Sequence, residues 1–376
     1  MSDRGALAGR DGVRPAPAGP GRGAALAAAL LLAGAGACSS PGVVPTDARP
    51  PADRELVWVA EQGAATVTAV DARSLEVVRR IDLQALGFGA NSKPHHVATE
   101  PDGSAIYVSL IAENRVVKLT PDGELEGSAE FQAPGLMALD RAGGVLYVGR
   151  SMAAVNPPAR IGVVRREDMS IEEIDVFFPR PHALAYDQRT GTAYSSSLGE
   201  NRLAAVRDEA AELIDLAGPT HAVVQITVSP TQPLLAATGQ LSGDVMFFRV
   251  DDADRPTPSG VVHVGGEPWH ASFSPDGRTL WVPSKRGGVV HVIDVGTQRI
   301  VGEVRHPALA QPHGSVVSAD GRRVFVSANN TDGDWAPAGA AANAGALVVI
   351  DAASRTVERA IPIGANAAGV ATGLRR

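Results

Sequence analysis

The stretch Lys93-Pro94-His95-His96-Val97-Ala98-Thr99-Glu100-Pro101-Asp102-Gly103-Ser104-Ala105-Ile106-Tyr107-Val108 decides how the rest of the chain is read. A Pro-x-His opening leads into an apolar run, a Pro-Asp-Gly turn follows, and a second alternating run ends Ile-Tyr-Val. Proline pre-sets φ in a tight turn, Asp bonds its own backbone, and Gly accepts positive φ. The spacing predicts strand, turn, strand. The same unit returns from Pro268 to Val282 around Pro275-Asp276-Gly277, and from Pro312 to Val326 around Ala319-Asp320-Gly321. A chain that repeats itself in this way is read first as a repeat protein.

Counted at the residue after the leading proline, equivalents fall at His95, Gly135, His182, Val224, Trp269, His313 and Ala368, with spacings of 40, 47, 42, 45, 44 and 55 residues. The longest spacing reflects an insertion between Asn329 and Gly345. Third strands end on an aspartate turn at Val70-Asp71, Ile293-Asp294 and Ile350-Asp351. Four short strands in each unit of forty-odd residues describe a β-propeller blade. The last unit, Ile363 to Thr372, supplies one inner strand and stops. Leu56–Ala60, Ala65–Val70 and Val77–Ile81 supply the three strands it lacks. The expectation is an all-β, seven-bladed propeller over residues 55–376, its ring closed by N-terminal strands pairing with the C-terminal one. Closure hides both sheet edges.

The pattern Pro-His-x-Val-Ala-x-x-Pro-Asp-Gly-x-x-x-Tyr-Val-Ser, followed elsewhere by Val-x-Val-Ile-Asp, resembles the YVTN-repeat (YncE-like) β-propeller family over about residues 55–373. The resemblance implies the fold. Propellers of this general kind include periplasmic and surface binding proteins, lactonase-like enzymes, haem-d1 domains and a copper-bearing reductase domain. A shared superfold does not transfer a chemistry.

Net charge is −7 with a pI near 5.7, which excludes a broad electrostatic grip on nucleic acid. Cys38 is the sole cysteine, so no intramolecular disulfide and no cysteine metal cluster can form. It follows an Ala/Leu-rich run, Ala24 to Ala37, that is too short to span a bilayer and of the size of a signal-peptide core. The ending Ala35-Gly36-Ala37-Cys38 resembles a bacterial lipoprotein cleavage site. Residues 1–37 are therefore expected to be a signal peptide, and 38–54 a lipidated Cys38 with a Pro-rich tether. The expected protein is exported and lipid-anchored in the cell envelope, periplasmic or on the outer surface. It is expected to be a monomer that meets the membrane only through that anchor.

In a propeller the inner strands line the central channel, so the two positions after each leading proline form a ring of up to fourteen side chains. His95, His96, His182, His270 and His313 occupy five of them, where the chain's nine histidines scattered at random would place fewer than one. Enrichment at a convergent position marks a candidate ligand-binding face. Neutral imidazole ligates copper, zinc and iron, so copper, zinc or haem are the cofactors to consider, with His96, His270 and His313 as metal candidates. None is demanded by the sequence. Protonation is expected to weaken such a site below about pH 6. Only His270 and His313 fall on adjacent blades, so one site built from all five is not expected.

Loops on the same face add Asn114, Arg150, Asn201, Lys285, Arg286 and Trp335 as further ligand-binding candidates. No Gly-x-Ser-x-Gly, Walker loop, dinucleotide fingerprint or His-Glu-x-x-His occurs. A binding role is expected, toward a small molecule or an envelope protein. The alternative is an enzyme on the same face, either a lactonase-like hydrolase or a metal- or haem-dependent oxidoreductase.

Overall fold

The computed structural model describes residues 54–375; the expected signal segment, Cys38 and nearly all of the tether lie outside the described residues. Seven four-stranded antiparallel sheets follow one another around a ring. The only helix among the described residues is a 3₁₀ turn, Ile111–Glu113. Inner strands begin at Pro94, Pro134, Pro181, Val223, Ser272, Pro312 and Ala367. In the closing blade, Ala367–Arg375 is the inner strand and pairs antiparallel with Arg54–Glu61, with Val57 opposite Thr372 and Trp58 opposite Ala371. Thr66–Asp71 and Val77–Asp82 complete that sheet. The shared blade expected from the sequence is present, with one correction. Ile363 belongs to the outer strand of the sixth blade, Thr356–Ala365, and the turn at Asn366 separates it from the closing strand.

The quoted turns form as their residues require. Gly103, Gly277 and Gly321 take φ of 69°, 70° and 72°, and the preceding aspartates accept the backbone N–H of Ser104, Arg278 and Arg322 at 2.9 to 3.1 Å. The recurrent Ile-Asp after the third strand works in the same way, with Asp294 and Asp351 each accepting a turn N–H at 2.7 Å.

Packing lies between blades rather than inside them. Along Arg54–Glu61, Leu56, Trp58 and Ala60 pack with Val97, Ile106 and Val108 of the first blade, while Val57 and Val59 pack with Phe325, Leu347 and Val349 of the sixth. Successive side chains point to opposite sheet faces and both faces are covered, so the middle strands read as continuous apolar runs.

Candidate functional site at the channel mouth

Three repeated devices build the channel mouth. First, the residue just before each inner-strand opening is left-handed: Lys93, Ala133, Arg180, Ala222, Glu267, Gln311 and Asn366 have φ between 45° and 60°. For residues other than Gly or Asn this costs roughly 1 kcal/mol each. Second, the carbonyl of that residue accepts the N–H of the first residue after the second strand in all seven blades, at 2.7 to 3.2 Å. Third, the pairing register slips immediately afterwards, for example between Pro94 and Val97 and between Pro312 and Ser315. A bulge re-aims side chains. Here it turns the two ring positions of each blade toward the axis.

The histidines converge there. The His270 and His313 rings lie 4.5 Å apart between centroids, His95 stands 5.5 Å from His313 and 6.4 Å from His270, and His96 stands 6.3 Å from His270. Four rings thus make one cluster, although only His270 and His313 lie on adjacent blades. Blade seven carries Ala368 and Gly369 at its ring positions, so no side chain larger than a methyl is available to separate His95 of blade one from His313 of blade six. A Cβ on Gly369 would lie 2.5 Å from the His95 carbonyl oxygen. Blade five also leaves its own sheet: the His270 N–H donates to the His313 carbonyl at 3.0 Å, and regular pairing resumes only at Ser272. His182 stands outside the ring contacts but is close enough that its charge would disfavour protonation of the others.

Burial holds the cluster neutral. His182, His270 and His313 are at most 3% exposed, His95 is buried and His96 half-buried. Desolvation, then neighbouring imidazoles, push His95 down to about 3; desolvation and His182 push His96 to about 4. Desolvation takes His182 to about 4, opposed by its backbone hydrogen bond, and drives His270 and His313 well below 6.5.

Partners fix the tautomers of three rings. His182 Nδ1–H donates to the Arg150 carbonyl at 2.7 Å, because a carbonyl can only accept. Its Nε2 lone pair is buried without a partner. His96 is the reverse: Nδ1 accepts the Met137 N–H at 3.3 Å, so Nε2 carries the proton. His95 Nδ1 bonds Gln62 Oε1 at 3.1 Å, which leaves its Nε2 as acceptor. His270 Nε2 and His313 Nδ1 are buried without a partner, as is the Trp269 indole N–H. Trp269, 5.3 Å from His313 and capped by Lys285 at 4.7 Å, joins the cluster. Sequence reasoning passed over it because its ring position carries an apolar residue type.

Other candidates are occupied within the fold. The Arg150 guanidinium is buried against Glu173 (2.9 Å) and the Phe131 ring (3.6 Å), so only its carbonyl serves the cluster. Asn114 accepts the Ala133 N–H at 2.8 Å, and Asn201 accepts the His221 N–H at 3.0 Å; each staples the opening of the next blade. Arg286 pairs with Glu267 at 2.9 Å. Trp335 is a half-buried anchor of the insertion, its backbone clamped on both sides by Asn330. His221 lies outside the ring, held by Ser242 and the Ala217 carbonyl.

Among the described residues, no three His, Cys, Asp or Glu side chains stand ready-assembled to hold a metal ion. The orphan nitrogens nonetheless offer lone pairs to whatever enters.

No family model matches the chain. A 92-residue stretch is 30% identical to a 6-phosphogluconolactonase of Pectobacterium carotovorum subsp. carotovorum (strain PC1); it covers 24% of this chain and only 27% of that protein. Among solved structures, the chain is similar to a functionally unknown protein from Desulfotomaculum acetoxidans DSM 771, at TM-score 0.68 and 16% identity, covering 85% of this chain and 99% of that one. It is also similar to the dihydro-heme d1 dehydrogenase NirN in complex with DHE, at TM-score 0.56 and 15% identity, over 87% and 76% of the two chains. These likenesses define the class, a seven-bladed β-propeller, and carry the fold alone.

Proposed function

We propose that this chain is a ligand-binding propeller whose imidazole cluster takes a transition-metal ion, copper or zinc, through neutral ring nitrogens. The observation that carries the reading is the set of buried imidazole nitrogens without partners at the channel mouth. A buried polar atom without a partner costs on the order of 1–3 kcal/mol, and a bound ligand would remove that cost. His182 has the arrangement typical of a metal-ligating imidazole, one nitrogen tied to a backbone carbonyl and the other free. With no ready-assembled set of three ligands, the ion would use two imidazoles and bring its remaining ligands with it. His96 is the weakest metal candidate, since its Nε2 is protonated and its Nδ1 already accepts a hydrogen bond.

Haem fits poorly. Four rings linked by edge contacts through His270 leave no slot for a flat macrocycle among them, so a haem would have to sit above the cluster on a single ring. The 92-residue likeness to a lactonase favours a second reading, hydrolysis with an imidazole as general base. A base works best with a pKa near the working pH. Rings at about 3 to 4 are weak bases but remain free of competing protons as ligands. That difference puts binding first.

Cys38, lipidated after export, would tether the chain to a membrane. Mass spectrometry of the mature protein should find an acylated N-terminal Cys38; an intact or differently cut N-terminus refutes the anchor. For the metal, protein purified without chelator should carry copper or zinc by elemental analysis, or take up one equivalent on titration. No metal as purified and no saturable uptake would overturn the reading in favour of hydrolysis, which lactone and ester assays would then examine.

A further inference from the structure

We infer that the Lys285 ammonium and the Trp269 indole N–H form an anion-recognition point beside the imidazole cluster, which takes a carboxylate or phosphate group of the ligand. The inference rests on reading the cluster as a ligand site and specifies what the ligand must carry. Both groups can only donate hydrogen bonds, and among the described residues neither has an acceptor. The indole is 4% exposed and its N–H is unpartnered. Lys285 is half-buried, with Nζ 4.7 Å from the indole ring centroid, and makes no ion pair within 4.0 Å among the described residues. Glu267 and Asp332 act on the ammonium only through space, each holding a closer partner: Glu267 pairs with Arg286 at 2.9 Å, and Asp332 accepts from Gln311 at 2.7 Å.

Across the indole stand His313 and His270, at 5.3 and 6.2 Å between ring centroids. The cluster contributes no negative charge, because its members are neutral imidazoles. An ion held there would still need anionic ligands, and two adjacent donors without acceptors are placed to hold such a group. The ammonium itself opens on a cleft of about 540 Å³ between blades five and six, which Lys285 lines together with Glu267, Arg286, Gln311, Asp332 and Asp334. That size admits a small molecule. Asp332 and Asp334 on its wall disfavour a polyanion, so the class indicated is a small molecule with a single anionic group.

The test is calorimetric titration of the mature protein with gluconate, with inorganic phosphate, with glucose as a neutral control, and separately with zinc. One of the two anions should bind saturably and glucose should not; the anion that binds separates carboxylate from phosphate. Lys285→Met should weaken that binding at least tenfold, as expected for loss of a charge-assisted hydrogen bond. Lys285→Arg should retain it within about threefold, and zinc affinity should stay within about threefold in both variants. Absence of anion binding, or equal anion affinity in wild type and Lys285→Met, overturns the inference. Failure of the wild type to bind zinc instead strikes the metal reading, whatever the anions do.

Discussion

Protonation of His95, His96 and His182 is deferred to about pH 3 to 4 in the folded chain, against an ordinary value of 6.5, because burial withholds the water that would solvate the charge. The unfolded chain binds protons at these rings first, so it is favoured as pH falls. Stability from this source is fully present above pH 6.5 and is lost as pH drops from 6.5 toward 4. Each ring contributes a slope of up to about 1.4 kcal/mol per pH unit. Melting temperatures between pH 8 and 4.5 should be flat above 6.5 and fall below it, with a shallower fall in a His270→Leu, His313→Leu variant. Equal slopes in the two proteins would mean that these rings are solvated and titrate normally. The same burial corrects the pH dependence expected from the sequence: binding through these nitrogens should persist well below pH 6. Residue identity was legible in the chain, but the surroundings that set each ring's proton affinity were not. Gln62, Arg150 and Met137 reach the histidines from other loops and strands.

Among the elements, the closing strand Ala367–Arg375 carries the most consequence. It covers Arg54–Glu61 along its length, and Thr99 of the first blade donates to the Thr372 carbonyl at 2.7 Å. Ending the chain at Asn366 removes the inner strand of the closing blade and leaves Leu56, Trp58 and their neighbours on an open edge. The cost should be at least about 4 kcal/mol from lost apolar burial. Size-exclusion chromatography and thermal melts should show aggregation or a much lower transition, and a truncated chain that melts like the full one would refute ring closure as the source of stability. Strand order, turn chemistry and blade number were legible because each rests on a repeated local signal. The left-handed residues before the inner strands were not. Lys93, Ala133 and Glu267 have little intrinsic tendency to that conformation, and the carbonyl contact that holds them forms only once two strands are side by side.

For the whole molecule, convergence depends on which ring positions are empty. Ala368 and Gly369 in blade seven let blades one and six meet across the axis, and the hydrogen bond from the His270 N–H to the His313 carbonyl, outside its own sheet, brings His270 onto His313. Counting blades along the sequence treats separated blades as distant, whereas the radius of the channel decides what touches. The assembly also retains polar nitrogens where apolar groups would be cheaper to bury, as expected when a site is kept for binding rather than stability. X-ray absorption at the metal edge of protein loaded with one equivalent of zinc or copper tests this most directly. Two or more imidazole nitrogens should coordinate the ion, and their signal should fall in His270→Leu, His313→Leu, a variant that should melt no lower than wild type at pH 7.5. A first shell of oxygen alone, unchanged by that double substitution, would contradict the assignment of the imidazole cluster as the binding site.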